Sequence, residues 1–213
     1  MEKLLEFFLK AGEVKRLKQR GLVLRRIKDP ATIGGHSFRE ALMGWIFTRT
    51  GKIGLDSGRV IKLVLVRDLC AGYAGDPTPY DHLLKKAKGK NHRQIFTRWV
   101  RTSKIEKERA HRQQWSLFRK SMKQLTRYLP VAMKTEVAAL FVELEQGLTR
   151  EGRFVQQLHM VENFLQSIEY WREDKTFPIE SWWQQIKELL SDPTLIALLA
   201  QIDKKFAREL RKI

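Results

Sequence analysis

A single cysteine, Cys70, in 213 residues rules out an intramolecular disulfide and a cysteine-built zinc site, and fits a reducing compartment such as the cytoplasm. It closes the apolar stretch VIKLVLVRDLC, where a buried, unreactive thiol is expected. Long apolar runs are missing as well, since no stretch reaches the ~18 uncharged residues that a membrane span needs. The N-terminus, MEKLLEFFLKAGEVKRLKQRG, has an acidic second residue and no apolar run leading to a small-residue cleavage site, so a secretory signal is not expected. Leu4, Leu5, Phe8 and Leu9 instead form a stripe at helical spacing and mark a first helix. Acidic residues are scarce: 24 Asp and Glu face 41 Lys and Arg, a formal net charge of +17. Such an excess draws polyanions toward the whole molecule, which makes phosphate-bearing partners the expected class and says nothing about fold.

Alternating strand patterns are not sustained anywhere, whereas apolar residues recur at three and four in nearly every segment. The expectation is an all-α single domain over residues 1–213, for which 43% apolar residues supply a sizeable core. Gly34-Gly35-His36-Ser37 opens a helix whose buried face is expected at Phe38, Leu42, Trp45 and Ile46. The next helix, 59–69, carries Val60, Ile61, Leu63, Val64, Leu65 and Val66. It is apolar on nearly all sides and should lie at the centre. It ends in Arg67-Asp68, a charged pair that needs a partner there, because an unpaired buried charge is prohibitively costly. Two glycines and two prolines then break the chain over 72–81.

The segment 82–128 is basic. Between His82 and Arg127 the lysines and arginines meet only Glu106 and Glu108, and Phe96, Trp99, Trp115, Phe118 and Leu125 interrupt them. It reads as an amphipathic helix pair with an aromatic stripe. Arg98, Arg101, Arg109 and Arg112 are the candidate polyanion-binding face, since like charges at this density favour a counter-anion. A helix over 131–146 follows Pro130. Thr149 is the expected N-cap of a last long helix, in which Phe154, Leu158, Val161, Leu165 and Ile168 form the apolar stripe. Near the start, Arg20, Arg25 and Arg26 read as solvated charges.

The order of these elements resembles the HD-domain phosphohydrolases, in their small all-helical 5'-deoxynucleotidase-like branch, over essentially the whole chain. The resemblance rests on a His-Ser opening one helix, an Arg-Asp closing the next, and the turn Gly-Asp-Pro-Thr-Pro-Tyr-Asp. It implies a site in which one helix gives a metal-binding His, the next a His-Asp pair and then a Glu, and a later helix a final Asp. These surround a divalent cation that polarises a phosphate, with the Glu as general acid or base. His36 and Asp68 match that pattern, as does Asp76, which by the resemblance faces the substrate sugar. Three groups depart together: Arg67 stands at the His of the His-Asp pair, Ala71 at the Glu and His159 at the final Asp. The phosphate-gripping Arg of the family is Gln19 here and a neighbouring Trp is Leu22, with Arg20 the adjacent substitute.

These departures change the implied chemistry. A guanidinium stays protonated at any accessible pH and repels a cation, so Arg67 is expected to pair with Asp68, while Ala71 transfers no proton. The expected function is that of a degenerate phosphohydrolase. It would bind a nucleotide, or a phosphate in a nucleic-acid chain, through Arg20, Arg67 and Asp76, without efficient hydrolysis and without a cofactor. Two alternatives stay open. One is an active metal-dependent 5'-deoxynucleotidase in which His36, Asp68 and His159, two His and one carboxylate, hold Mn, Co, Mg or Zn. The other is a structural RNA- or ribonucleoprotein-associated component using the basic segment. No membrane partner is expected, and the resemblance is compatible with a homodimer.

Overall fold

The computed structural model describes residues 1–51, 53–78, 80–86, 92–97 and 104–210. Helices α1 (Glu2–Glu13) and α2 (Arg20–Leu24) lead into the pair α3 (Ile33–Thr50) and α4 (Ser57–Leu69). Short turns α5 (Ala71–Ala74), α6 (Asp81–Lys86) and α7 (His92–Ile95) precede the long α8 (Lys104–Thr126). The chain closes with α9 (Val131–Gln146), α10 (Arg150–Glu173), α11 (Glu180–Leu189) and α12 (Pro193–Leu210). Among the described residues there is no strand, only an isolated bridge between Lys18 and Thr32, and no helix is long and apolar enough to cross a membrane.

Side-chain caps set where the central helices begin. Thr32 accepts from Gly35 N and Thr149 from Gly152 N, each at 3.0 Å, and Asp56 accepts from Arg59 N at 3.0 Å, so each satisfies a backbone donor that the first turn leaves free. Helix α4 lies at the centre, against α3, α9 and α10. Its Val60, Leu63 and Val64 are fully buried with Val155, Leu158, Val161 and Phe164 of α10, although Leu65 is half exposed. A Cβ on Gly44 of α3 would stand 2.7 Å from Val60 Cγ1. The two helices therefore approach at a point where only glycine fits.

Helix α3 is rotated from the sequence expectation. Phe38 is 71% exposed and Trp45 53%, with Leu42 and Ile46 also exposed, while Ile33, His36, Glu40 and Gly44 face inward. The polar face turns in because its partners are inside. With Phe38 buried instead, His36 and Glu40 would point to water and leave the Arg67 guanidinium with Asp68 as its one carboxylate. Arg25 departs in the same direction. It is largely enclosed rather than solvated, with its guanidinium 3.7 Å from the centre of the Trp182 ring and 4.4 Å from that of Phe96. It donates to Gly21 O and Ser181 Oγ at 2.8 and 3.0 Å, and burial brings its pKa down to about 10.

In the basic segment α8 buries Met122 and Leu125 and stacks Trp115 on Phe141 of α9, with centroids 5.5 Å apart. Arg109 and Arg112 stand exposed on α8, whereas Arg98 and Arg101 lie outside the described residues.

Candidate functional site

His36, Arg67, Asp68 and His159 come together where α3, the end of α4 and α10 meet. Arg67 is the centre of the cluster. Its Nε donates to Asp68 Oδ1 at 3.0 Å and its Nη1 to Glu40 Oε1 at 2.7 Å. Its Nη2 lies 2.5 Å from Glu40 Oε2, 3.1 Å from Asp68 Oδ2 and 2.9 Å from His36 Nε2. This fork-to-carboxylate geometry suits a guanidinium and no other cation. Burial opposes the Arg67 charge, but the Asp68 and Glu40 carboxylates outweigh it and raise its pKa above the ordinary value. Burial likewise opposes the charges of Glu40 and Asp68, and Arg67 outweighs it at both, holding Glu40 well below the usual carboxylate range and Asp68 below it.

His36 is 2% exposed and sits between two fully buried carboxylates. Its Nδ1 contacts Glu162 Oε2, and its Nε2 lies 3.1 Å from Glu40 Oε2 and 2.8 Å from His159 Nδ1. Burial works against the imidazolium, and Glu162 and Glu40 outweigh it, raising the pKa to about 9. His159 goes the other way, lowered by burial and by the Arg67 charge. Glu162 is in turn held by Arg39 Nε at 2.9 Å. Over these groups three basic side chains, Arg39, Arg67 and His36, face three carboxylates, Glu40, Asp68 and Glu162. Ser37 Oγ also donates to Asp68 Oδ2.

The Glu40, Asp68 and His36 titrations predict losses of stability at both ends of the pH range, and the lowered pKa of His159 adds a loss as pH falls below about 6.5. Glu40 and Asp68 have depressed pKa values in the folded chain, so their contribution is complete above about pH 4.5 and is lost as pH falls through the folded values. His36 has a raised pKa, so its contribution is complete below the unfolded value of about 6.5 and is lost as pH rises through about 9. Urea midpoints measured from pH 3 to 10 should fall at both ends. A profile flat between pH 6.5 and 9 would mean that His36 is neutral in the folded protein.

Of the remaining candidates, Arg20 is exposed at the rim, whereas Gln19 and Ala71 are buried. Asp76 Oδ2 accepts from Arg20 N at 2.7 Å, and burial raises its pKa. The Arg20 side chain is half exposed and reaches Asp81 Oδ1 at 3.1 Å. Gln19 Nε2 donates to Asn163 Oδ1 at 3.3 Å, and Asn163 Nδ2 lies 3.0 Å from His159 Nε2, which links α2 to the cluster. Ala71 is buried with Val14 and Ile33 in a small apolar group. Cys70 is fully buried and burial pushes its thiol up to about 12, so it is inert as expected. One expectation is corrected: Arg67 is not a free phosphate ligand, because each of its three nitrogens already meets a carboxylate. Glu40 and Glu162 escaped sequence reasoning. The signal was there for Glu40, a carboxylate four residues after His36 and so on the same helix face.

A family model described as HD domain matches residues 11–194. The chain belongs to the HD-domain family. The 5'-deoxynucleotidase HDDC2 of Xenopus laevis is 30% identical over 200 residues, covering 93% of this chain and 85% of that protein. The Mus musculus HDDC2 is 28% identical over 201 residues, covering 94% and 86%. Two solved structures superpose with a TM-score of 0.62 each. One is a conserved hypothetical protein from Pyrococcus furiosus, 19% identical, with 96% of this chain and 99% of that one covered. The other is described as a predicted metal-dependent phosphohydrolase from Magnetospirillum magnetotacticum MS-1, 18% identical, with 97% and 92% covered. At that identity both speak to the fold alone.

Among the described residues, His36, Glu40 and His159 offer donor atoms within 4.8 Å of one another, a grouping that could hold a metal ion. In this HD domain the group does not fit a divalent cation as it stands. The Arg67 guanidinium touches two of the three donors and Asp68 besides, and its fixed charge repels a second cation.

Proposed function

We propose that this HD-domain protein binds a phosphate-bearing ligand of the nucleoside 5'-monophosphate class without hydrolysing it efficiently. The observation that carries this reading is the Arg67 guanidinium held between Glu40 and Asp68. It keeps the centre of the site closed and charge-balanced. Ala71, at the position where the resembled family has its general acid or base, has no proton to give. The naming of the vertebrate relatives as 5'-deoxynucleotidases supports the ligand class, as does the net charge of +17. In this reading the phosphate meets Arg20, whose side chain is half exposed at the rim, and Asp76 holds the Arg20 backbone in place.

A second reading is an active metal-dependent 5'-deoxynucleotidase. The same relatives' names favour it, and the His36, Glu40 and His159 group gives it ligands; it requires Arg67 to move away. Phosphate release from deoxynucleoside monophosphates with added Mg2+, Mn2+ or Co2+ separates the two. The expected turnover is under ~0.1 s−1, at least about 100-fold below a median enzyme, as suits a site without its general acid. A calorimetric titration with dAMP should still show binding, weakened by Arg20→Ala. Turnover of several per second that depends on added metal would establish the second reading instead.

A further inference from the structure

The distances around His36 describe a coordination shell with a side chain in it. His36 Nε2, His159 Nδ1 and Glu40 Oε2 form a triangle with sides of 2.8, 3.1 and 3.5 Å. Two ligands each ~2.1 Å from one ion, at octahedral or tetrahedral angles, lie about 3.0–3.4 Å apart, so the triangle already has the size of a coordination face. Arg67 Nη2 approaches that same face, 2.5 Å from Glu40 Oε2 and 2.9 Å from His36 Nε2. Asp68 Oδ2 stands beside it at 3.1 Å.

We propose that His36, Glu40 and His159 form a cation site whose resident cation is the Arg67 guanidinium, and that a divalent transition metal of the Co2+ or Zn2+ type enters once that guanidinium is removed. Two imidazoles and a carboxylate suit such a metal, and Asp68 is at hand as a fourth ligand. The inference rests on the reading that the native chain holds no metal. It adds what stands in the metal's place and which carboxylate, Glu40, balances it. A metal entering the native protein would have to take Glu40 from Arg67 and leave a buried guanidinium short of a counter-ion, which is strongly unfavourable.

Co2+ binding, followed by visible absorbance and by the thermal midpoint, tests this on the native chain, Arg67→Ala, Arg67→Gln and the double variant Arg67→Ala/Glu40→Gln. The native chain should show no cobalt spectrum. Arg67→Ala and Arg67→Gln should each bind an equivalent of Co2+ and unfold at a higher temperature with it. The glutamine variant keeps most of the side-chain volume should the alanine variant fail to fold. Adding Glu40→Gln should weaken Co2+ by about tenfold or more, since even residues that only support a ligand cost about 10–100-fold. A native chain that binds Co2+ as tightly as Arg67→Ala would overturn the metal-free reading and this proposal with it. A metal-free native chain whose Arg67 variants also stay metal-free would overturn the proposal alone, as would Co2+ affinity unchanged by Glu40→Gln.

Discussion

Glu40→Ala is expected to destabilise the protein by about 3–5 kcal/mol, the usual cost of removing one partner from a buried ion pair. For a chain of this size that lowers the thermal midpoint by roughly 6–20 °C. Glu40 is fully buried and meets both Nη1 and Nη2 of Arg67 as well as His36. Its loss leaves the guanidinium with Asp68 alone and removes one of the two carboxylates that keep His36 charged. Glu169→Ala is the control. That carboxylate pairs with Arg39 but is 52% exposed, and an exposed pair contributes about 0–1 kcal/mol. Replacing both partners, Glu40→Leu with Arg67→Met, should recover only part of the loss, because the guanidinium is gone but Asp68 then loses its counter-ion and keeps only the Ser37 hydroxyl. Thermal and urea unfolding of these variants decide the matter. A Glu40→Ala protein no less stable than Glu169→Ala would show that the pair is not what holds α3 against α4.

Combining Arg67→His, Ala71→Glu and His159→Asp, the groups that the family resemblance implies, is expected to recover divalent-metal binding before it recovers hydrolysis. Metal binding needs only ligands at the right positions, and α3, α4 and α10 already bring positions 36, 67, 68 and 159 together. Turnover needs more. A general acid or base contributes about 10^2–10^4-fold, and Ala71→Glu must place its carboxyl in the apolar group of Val14 and Ile33. Burial there raises its pKa, which suits a proton donor and costs stability. The family's phosphate grip at position 19 is also absent, because Gln19 is there and is bound to Asn163, and Arg20 stands in for it only from an exposed position. Gln19→Arg should therefore be required for rapid turnover. Metal content and phosphate release, measured on the triple and quadruple variants in turn, give the order of recovery. A triple variant that hydrolyses as fast as the quadruple would remove Gln19 from the account, and one that binds no metal would mean that the backbone no longer presents the site.

The helices were legible in the sequence for physical reasons that act locally, and the site's location through the family resemblance. Periodicity marked α10, because residues three and four apart share a face whatever the rest of the chain does, and a run apolar on nearly all sides marked α4. Thr149 and Pro130 announced helix boundaries, because capping and the missing proline N–H are settled within one turn. The resemblance to the HD-domain family, carried by the His-Ser, the Arg-Asp and the turn after it, implied one pocket, and a guanidinium next to a carboxylate pointed to an ion pair. The face that α3 buries was not decided locally. Its apolar stripe at Phe38, Leu42, Trp45 and Ile46 predicts one orientation, and the folded chain takes the other, with Glu40 and His36 inside. Hydrophobic spacing measures only what a helix gains by leaving water. It does not include polar and charged groups that arrive from distant positions: Arg67 from α4, and Glu162 and His159 from α10. Leaving the buried Arg67 and His36 without Glu40 costs about 3–5 kcal/mol, comparable with what a few partly exposed apolar side chains forgo. The tertiary structure therefore decided the rotation of α3, and with it the identity of Glu40 as the counter-ion of Arg67.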